Sequence, residues 1–150
     1  KVGAISADHL LKTSDEGLKN LVDSGVIACL LPATALILGE PPARARDMID
    51  LGVPVAISTD CNPGSSPTTS MPLVMNLACI TMRMTPAETL CAATYNAACA
   101  IGMEDQIGSI EVGKQADFVI WNVSNYQKLH YMFGVNHVHQ VWKNGMKVVG

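Results

Sequence analysis

Apolar positions fall in short, nearly unbroken runs separated by stretches in which they recur every three to four residues. Val2–Ser6 (VGAIS), Val26–Leu31 (VIACLL) and Val53–Ser58 (VPVAIS) are the runs. They are short for helices and too uniformly apolar for strands with one wet face, so they predict strands buried on both sides. Between the first two, Ser14 offers an N-cap, and Asp15 and Glu16 fall in the first turn, where the helix dipole favours anions. Leu18, Leu21 and Val22 share a face, and Gly25 closes that helix. Ala33–Glu40 has no clear period and reads as loop with room for helical turns. Pro41 and Pro42 then suit a helix start, with Met48 and Ile49 inward and Gly52 at the end. Strand starts repeating at about 25 residues, with a helix in each interval, predict βα units and a parallel sheet.

Downstream, Met71–Met82 predicts an apolar helix with Ser70 as cap and Pro72 in its first turn. Thr85-Pro86-Ala87-Glu88 is a capping box, opening a helix rich in small residues that runs to Ile101 and stops at Gly102. The pattern then changes. Gly108–Asp117 is turn-rich, Phe118–Trp121 reads as a strand, and Val135–Trp142 with Met146–Val149 reads as a hairpin about Lys143-Asn144-Gly145. A boundary near 103 therefore separates an α/β part, 1–102, from a small β part, 103–150.

At 150 residues the chain is about one domain long. Apolar residues make up 49% and charged residues 15%, which leaves a surface poor in charge and suits a chain covered by more protein. A net charge of −3 without a Lys/Arg cluster argues against nucleic acid as a partner. Cys29, Cys61, Cys79, Cys91 and Cys99 are odd in number and form no CxxC pair, the pattern of reduced thiols in a cytoplasmic protein. The longest apolar run, Val26–Gly39, contains Pro32 and falls short of the ~20 residues a membrane span needs. The chain opens at Lys1 without a signal peptide or an initiator Met, which suits a chain that starts inside a longer one.

Val53–Ser66 carries the strongest chemical signal. Parallel sheets covered by helices gather their chemistry at the strands' carboxyl ends, and Asp60 stands at such an end. A carboxylate there is costly unless a cation, a donor or a substrate meets it. Metal ligand or proton carrier is the first reading of Asp60; loop cap is the second. Asn62-Pro63-Gly64 taken alone reads as a turn. His137 and His139 form an H-x-H pair that a strand would turn to one side, but they lie within the terminal hairpin and read as structural. His130 reads as loop surface, Cys61 lacks thiolate partners, Arg83 reads as a helix-end residue on backbone carbonyls, and the Met-rich helix reads as core.

Three strand–helix units, the strand-end Asp60 and the trailing Ser109, Gly113, Lys114, Ala116, Asp117 and Val119 of an SxxxGKxADxV pattern resemble the metal-dependent amidohydrolase superfamily. The finer resemblance is to the imidazolonepropionase family, through Ser6–Leu10 (SADHL), Ser58–Pro67 (STDCNPGSSP), Ser70–Glu88 and Tyr131–Asn136 (YMFGVN). It implies the C-terminal three βα units, the sixth to eighth, of a (β/α)8 TIM-type barrel plus part of a small composite β-domain. A whole barrel takes about 250 residues, so the first-strand His-x-His pair, the fifth-strand metal His and the neighbouring catalytic Glu are expected upstream of Lys1. By the same resemblance Asp60 binds a single divalent metal, Zn or Fe, and takes the proton of the attacking water. His9, at the end of the first strand, polarises the substrate carbonyl, the plainer alternative being a His satisfied by a loop carbonyl; Asp8 beside it reads as a supporting or capping group. Asn62, Gly64 and Ser65 contact a small-molecule substrate. The implied reaction opens 4-imidazolone-5-propanoate to N-formimidoyl-L-glutamate by metal-bound hydroxide, in a cytoplasmic enzyme that touches neither membrane nor nucleic acid and forms a homodimer at full length. The rivals are a purine or triazine aminohydrolase of the same superfamily, and a non-catalytic fragment; this chain alone is expected to be inactive.

Overall fold

The apolar runs pair side by side. In the computed structural model, which describes residues 3–150, β1 (Ser6–Asp8), β2 (Ile27–Leu30) and β3 (Val55–Ile57) form a parallel sheet in that order. Asp8 sits beside Cys29, Cys29 beside Ala56, and Leu30 beside Ile57. Parallel register brings the carboxyl ends together, so His9, Leu31 and the Ser58–Asp60 turn leave the sheet on one rim. The first strand lies later than the Val2–Ser6 run predicts, and Lys1 and Val2 fall outside the described residues. Ser6–Asp8 pairs because its backbone meets β2, with His9 N–H donating to the Cys29 carbonyl at 3.0 Å and Ile27 N–H to that of Ile5 at 3.0 Å; β1 has one strand neighbour, so apolarity does not decide where it runs.

Helix α1 (Asp15–Ser24) follows its signals: Ser14 Oγ accepts from Gly17 N–H at 3.1 Å, Gly25 caps with φ 66°, and Leu18 and Leu21 are buried. The segment after β2 read as loop with room for helical turns forms a short helix, α2 (Pro32–Ile37), started by Pro32 with its preset φ and anchored by burial of Pro32–Ala35. The helix expected from Pro41 begins later, as α3 (Ala45–Asp50). Pro42 bars the residue before it from the α region, and Ala43 is already buried before the first turn forms.

Helix α4 (Met71–Met82) is capped by Ser70 and ends at Arg83 in a left-handed conformation, φ 57°. Both bonds of the capping box open α5 (Pro86–Ala93). The single helix expected to Ile101 breaks at Thr94, φ −124° and ψ −90°, and resumes as α6 (Tyr95–Ala100). Thr94 Oγ1 donates to the Leu90 carbonyl at 2.7 Å, and the break lets Asn96 Nδ2 reach the Val55 carbonyl at 2.8 Å. Leu18, Leu30, Met48, Val55, Ile57, Val74 and Leu77 form the main core on one face of the sheet, while Ile27, Ala56 and Ala100 form a smaller cluster.

Beyond residue 103, β4 (Phe118–Trp121), β5 (Val138–Lys143) and β6 (Met146–Val149) make a separate antiparallel sheet in the order β4-β5-β6. The Asn-Gly turn has φ 49° at Asn144 and 74° at Gly145, as a two-residue hairpin requires. The hairpin's first strand starts at Val138 rather than Val135. The segment before it holds a short helix the pattern does not announce, α7 (Lys128–Tyr131), with Leu129 buried. Asn76 on α4, 1% exposed, fastens it: Nδ2 donates to the Leu129 carbonyl at 2.8 Å and Oδ1 accepts from Gly134 N–H at 3.2 Å. Residues 128–134 thus pack on the helices of the first part although they follow the boundary in sequence.

Candidate active site

The turn after β3 is built almost wholly from its own polar groups. Ser58 N–H completes the sheet by donating to the Leu30 carbonyl at 3.2 Å. Two residues on, Asp60 takes a left-handed conformation, φ 49°, which Asp tolerates better than most side chains. Ser66, wholly buried, donates its hydroxyl to the Thr59 carbonyl at 2.5 Å and bridges back to Asn62 through two backbone hydrogen bonds. The Asn62 amide is spent inside the loop. Its Oδ1 accepts from the N–H groups of Gly64 (2.9 Å) and Ser65 (2.8 Å), and its Nδ2 donates to the Asp60 carbonyl (2.7 Å) and Ser65 Oγ (3.1 Å). Gly64 and Ser65 are held at the loop's outer turn, and Ser65 is half-buried.

The Asp60 carboxylate has one protein donor among the described residues. Thr34, on α2 of the neighbouring unit and 1% exposed, gives its hydroxyl to Oδ2 at 2.7 Å. On the far side of β2, His9 follows β1 with φ 64° and lines an open hollow of about 500 Å3 with Asp8, Leu11, Lys12, Leu38 and Glu40. Cys29 lies between the two halves. Burial, reinforced by the negative charges of Asp8 and Asp60, pushes its thiol up to about 11. The thiol is therefore neutral at ordinary pH and is no nucleophile.

His9, Asp60, Asn62, Gly64 and Ser65 thus stand on one rim of the parallel sheet. His137 and His139 do not: His137 precedes β5 with Nε2 buried, and His139 is exposed on β5. His130 is not loop surface. It sits on α7, half-buried, with Nε2 at 2.6 Å from Thr89 Oγ1 and Nδ1 at 3.2 Å from the Tyr126 carbonyl, and burial lowers its pKa. Cys61 is exposed. The pattern of the sequence did not reveal Thr34 or Cys29; for Cys29 a signal existed, since pairing the strand ends in register puts it beside Asp8.

Among the described residues no three His, Cys, Asp or Glu side chains converge to hold a metal ion. Asp60 fits the part of a single oxygen ligand: a strand-end carboxylate with one oxygen engaged by Thr34 and the other unclaimed within the described chain.

The sequence model of the Amidohydrolase family matches residues 4–148. The chain belongs to the amidohydrolase family. Among curated relatives it is similar to the imidazolonepropionases of Geobacillus thermodenitrificans (strain NG80-2), at 61% identity over 99% of this chain and 35% of that one, and of Bacteroides thetaiotaomicron, at 53% over 97% and 35%. The chain spans about a third of the length of these relatives. Among solved structures, a zinc-bound adenosine deaminase from Xanthomonas campestris matches with TM-score 0.87 and 29% identity, covering 96% of this chain and 36% of that one. Escherichia coli guanine deaminase matches with TM-score 0.81 at 21% identity, over 95% and 38%, and shows the fold alone. The sheet with its helices is three βα units of the amidohydrolase barrel, and β4–β6 are part of the family's small β-domain. No helix among the described residues is long and apolar enough to cross a membrane.

Proposed function

We propose that this amidohydrolase chain carries the acid–base carboxylate and the carbonyl-polarising imidazole of an imidazolonepropionase. The observation that supports this most is the placement of His9 and Asp60 on one sheet rim, either side of Cys29, in a chain 61% identical to an imidazolonepropionase. The reaction is hydrolysis of 4-imidazolone-5-propanoate to N-formimidoyl-L-glutamate: water's oxygen bonds to the ring carbonyl carbon, the carbon–nitrogen bond to the ring nitrogen breaks, and water's proton ends on that nitrogen. Asp60 receives the proton and returns it to the leaving nitrogen, its carboxylate held by the Thr34 hydroxyl. His9 stabilises the negative charge that develops on the carbonyl oxygen. Gly64 and Ser65 orient the substrate, and Asn62 acts by holding the loop that presents them. A divalent metal, zinc or iron, held in part by Asp60 would supply a water of pKa around 7.

The remaining ligands are not among the described residues, so the 150-residue chain alone is expected neither to retain a metal nor to hydrolyse anything. The test offers the whole encoded protein imidazolonepropanoate, guanine and a triazine. Turnover of imidazolonepropanoate is expected, reduced by about 10²–10⁴ in Asp60→Asn. Turnover of guanine alone overturns the reading. Elemental analysis of the isolated 150-residue chain checks the second expectation, and one ion retained per chain would refute it.

A further inference from the structure

We propose that Thr34 is the positioning residue for Asp60, setting the plane of the carboxylate from the neighbouring βα unit; this rests on the reading of Asp60 as a metal ligand. Four observations carry it. Thr34 Oγ1 lies 2.7 Å from Asp60 Oδ2, across 26 residues of sequence, so the contact is built by the fold rather than by a local turn. Thr34 is 1% exposed, which denies its hydroxyl water as an alternative partner. A mid-helix Thr can turn its hydroxyl to the carbonyl four residues back, but Thr34 stands in the first turn of α2, where the residue four back, Leu30, belongs to β2 and its carbonyl accepts from Ser58 N–H at 3.2 Å. Its place in the first helical turn leaves the Thr34 proton for Asp60.

The fourth observation is the backbone. Asp60 is left-handed, φ 49°, with its carbonyl held by Asn62 Nδ2 at 2.7 Å. The main chain is pinned, and rotation of the side chain is the freedom left. One short hydrogen bond to Oδ2 removes it and makes the two oxygens inequivalent: Oδ2 is tied to the barrel, and Oδ1 alone is presented to the rim. Groups that hydrogen-bond a metal's ligands typically change metal affinity or activity 10- to 100-fold when removed.

The test uses the whole encoded protein with Zn²⁺ as probe. Thr34→Val keeps the shape and deletes the donor; Thr34→Ser keeps the donor and deletes a methyl. Zinc affinity measured by chelator competition is expected to fall about 10- to 100-fold in Thr34→Val and to recover to within about 3-fold of the unsubstituted protein in Thr34→Ser. Thermal melting of the metal-free proteins should be the same for both variants, and kcat for the hydrolysis should fall with KM unchanged. Equal zinc affinity in all three proteins would reduce Thr34 to packing and overturn the proposal. A fall in affinity in both variants, tracking a loss of melting temperature, would also overturn it. A protein that binds zinc with the expected order of affinities yet leaves imidazolonepropanoate untouched refutes the proposed reaction and leaves the role of Thr34 standing; an unsubstituted protein that binds neither Zn²⁺ nor Fe²⁺ refutes both.

Discussion

Replacing Asn76 with Ala should release one defined segment, and its cost can be worked from two hydrogen bonds. Asn76 is 1% exposed, and its amide holds the Leu129 carbonyl at 2.8 Å and the Gly134 N–H at 3.2 Å. Leu129 is buried at 2% exposure, so its carbonyl cannot turn to water unless α7 lifts; leaving it unpaired costs about 1–3 kcal/mol. Gly134 is exposed, and its N–H returns to solvent for at most about 1 kcal/mol. The void left by the amide adds a smaller amount. A total of about 2–4 kcal/mol converts, at 1.4 kcal/mol per decade, to opening of α7 roughly 30- to 1000-fold more often. Hydrogen exchange read by mass spectrometry on peptides covering 126–135 should accelerate by that factor, while a peptide covering α1 changes little. Asn76→Asp should open the segment at least as far at neutral pH, where a carboxylate faces the Leu129 carbonyl, and less in acid, where a protonated Oδ can donate. Unchanged exchange at 126–135, or equal acceleration in α1, would refute a local staple.

Gly108, with φ 91°, has no room for a methyl group: an added Cβ would lie 2.6 Å from Ala98 Cβ and 3.1 Å from the Thr94 carbonyl oxygen. Gly108→Ala should lose about 2–4 kcal/mol in urea titration, against about 1–2 kcal/mol for Gly113→Ala, where φ is 95° but no atom lies within 4 Å; equal losses would show that only backbone conformation matters. The Arg46 guanidinium, bonded to both Glu88 oxygens at 2.9 and 3.0 Å, holds that carboxyl at about 2 against the opposing effect of burial, with Thr85 N–H helping. Because the folded pKa lies below the ordinary 4.5, this stabilisation is complete above about pH 4.5 and is lost as pH falls towards 2. Arg46→Ala should therefore lower stability in urea titration at neutral pH, with the difference from the unsubstituted protein closing near pH 2; a cost independent of pH would assign it to the packing of the arginine stem.

Where a residue's effect is local, reading the chain alone sufficed. Ser14 and Gly25 bound α1, Thr85 and Glu88 open α5, and Asn144-Gly145 turns the last hairpin, because caps and tight turns need only neighbours within a few residues. Reading failed where a distant partner overrides propensity. The segment after β2 became a helix because the core covers Pro32–Ala35, and α7 formed because Asn76 reaches it across 53 residues. The site divides along the same line. That Asp60 ends a buried strand follows from order along the chain, and so does the place of His9 after the first run. Which side chain holds Asp60 does not: Thr34 lies in the segment with the weakest periodic signal.

The sequence by itself determined the alternation of strand and helix, the caps and turns, and the strand-end position of Asp60, all of which depend on spacing within one segment. Only the tertiary structure decided that Thr34 meets Asp60, that Cys29 lies between Asp8 and Asp60, and that α7 docks on α4. Those contacts depend on strand register and on burial of single polar atoms, and distance along the chain carries no information about either.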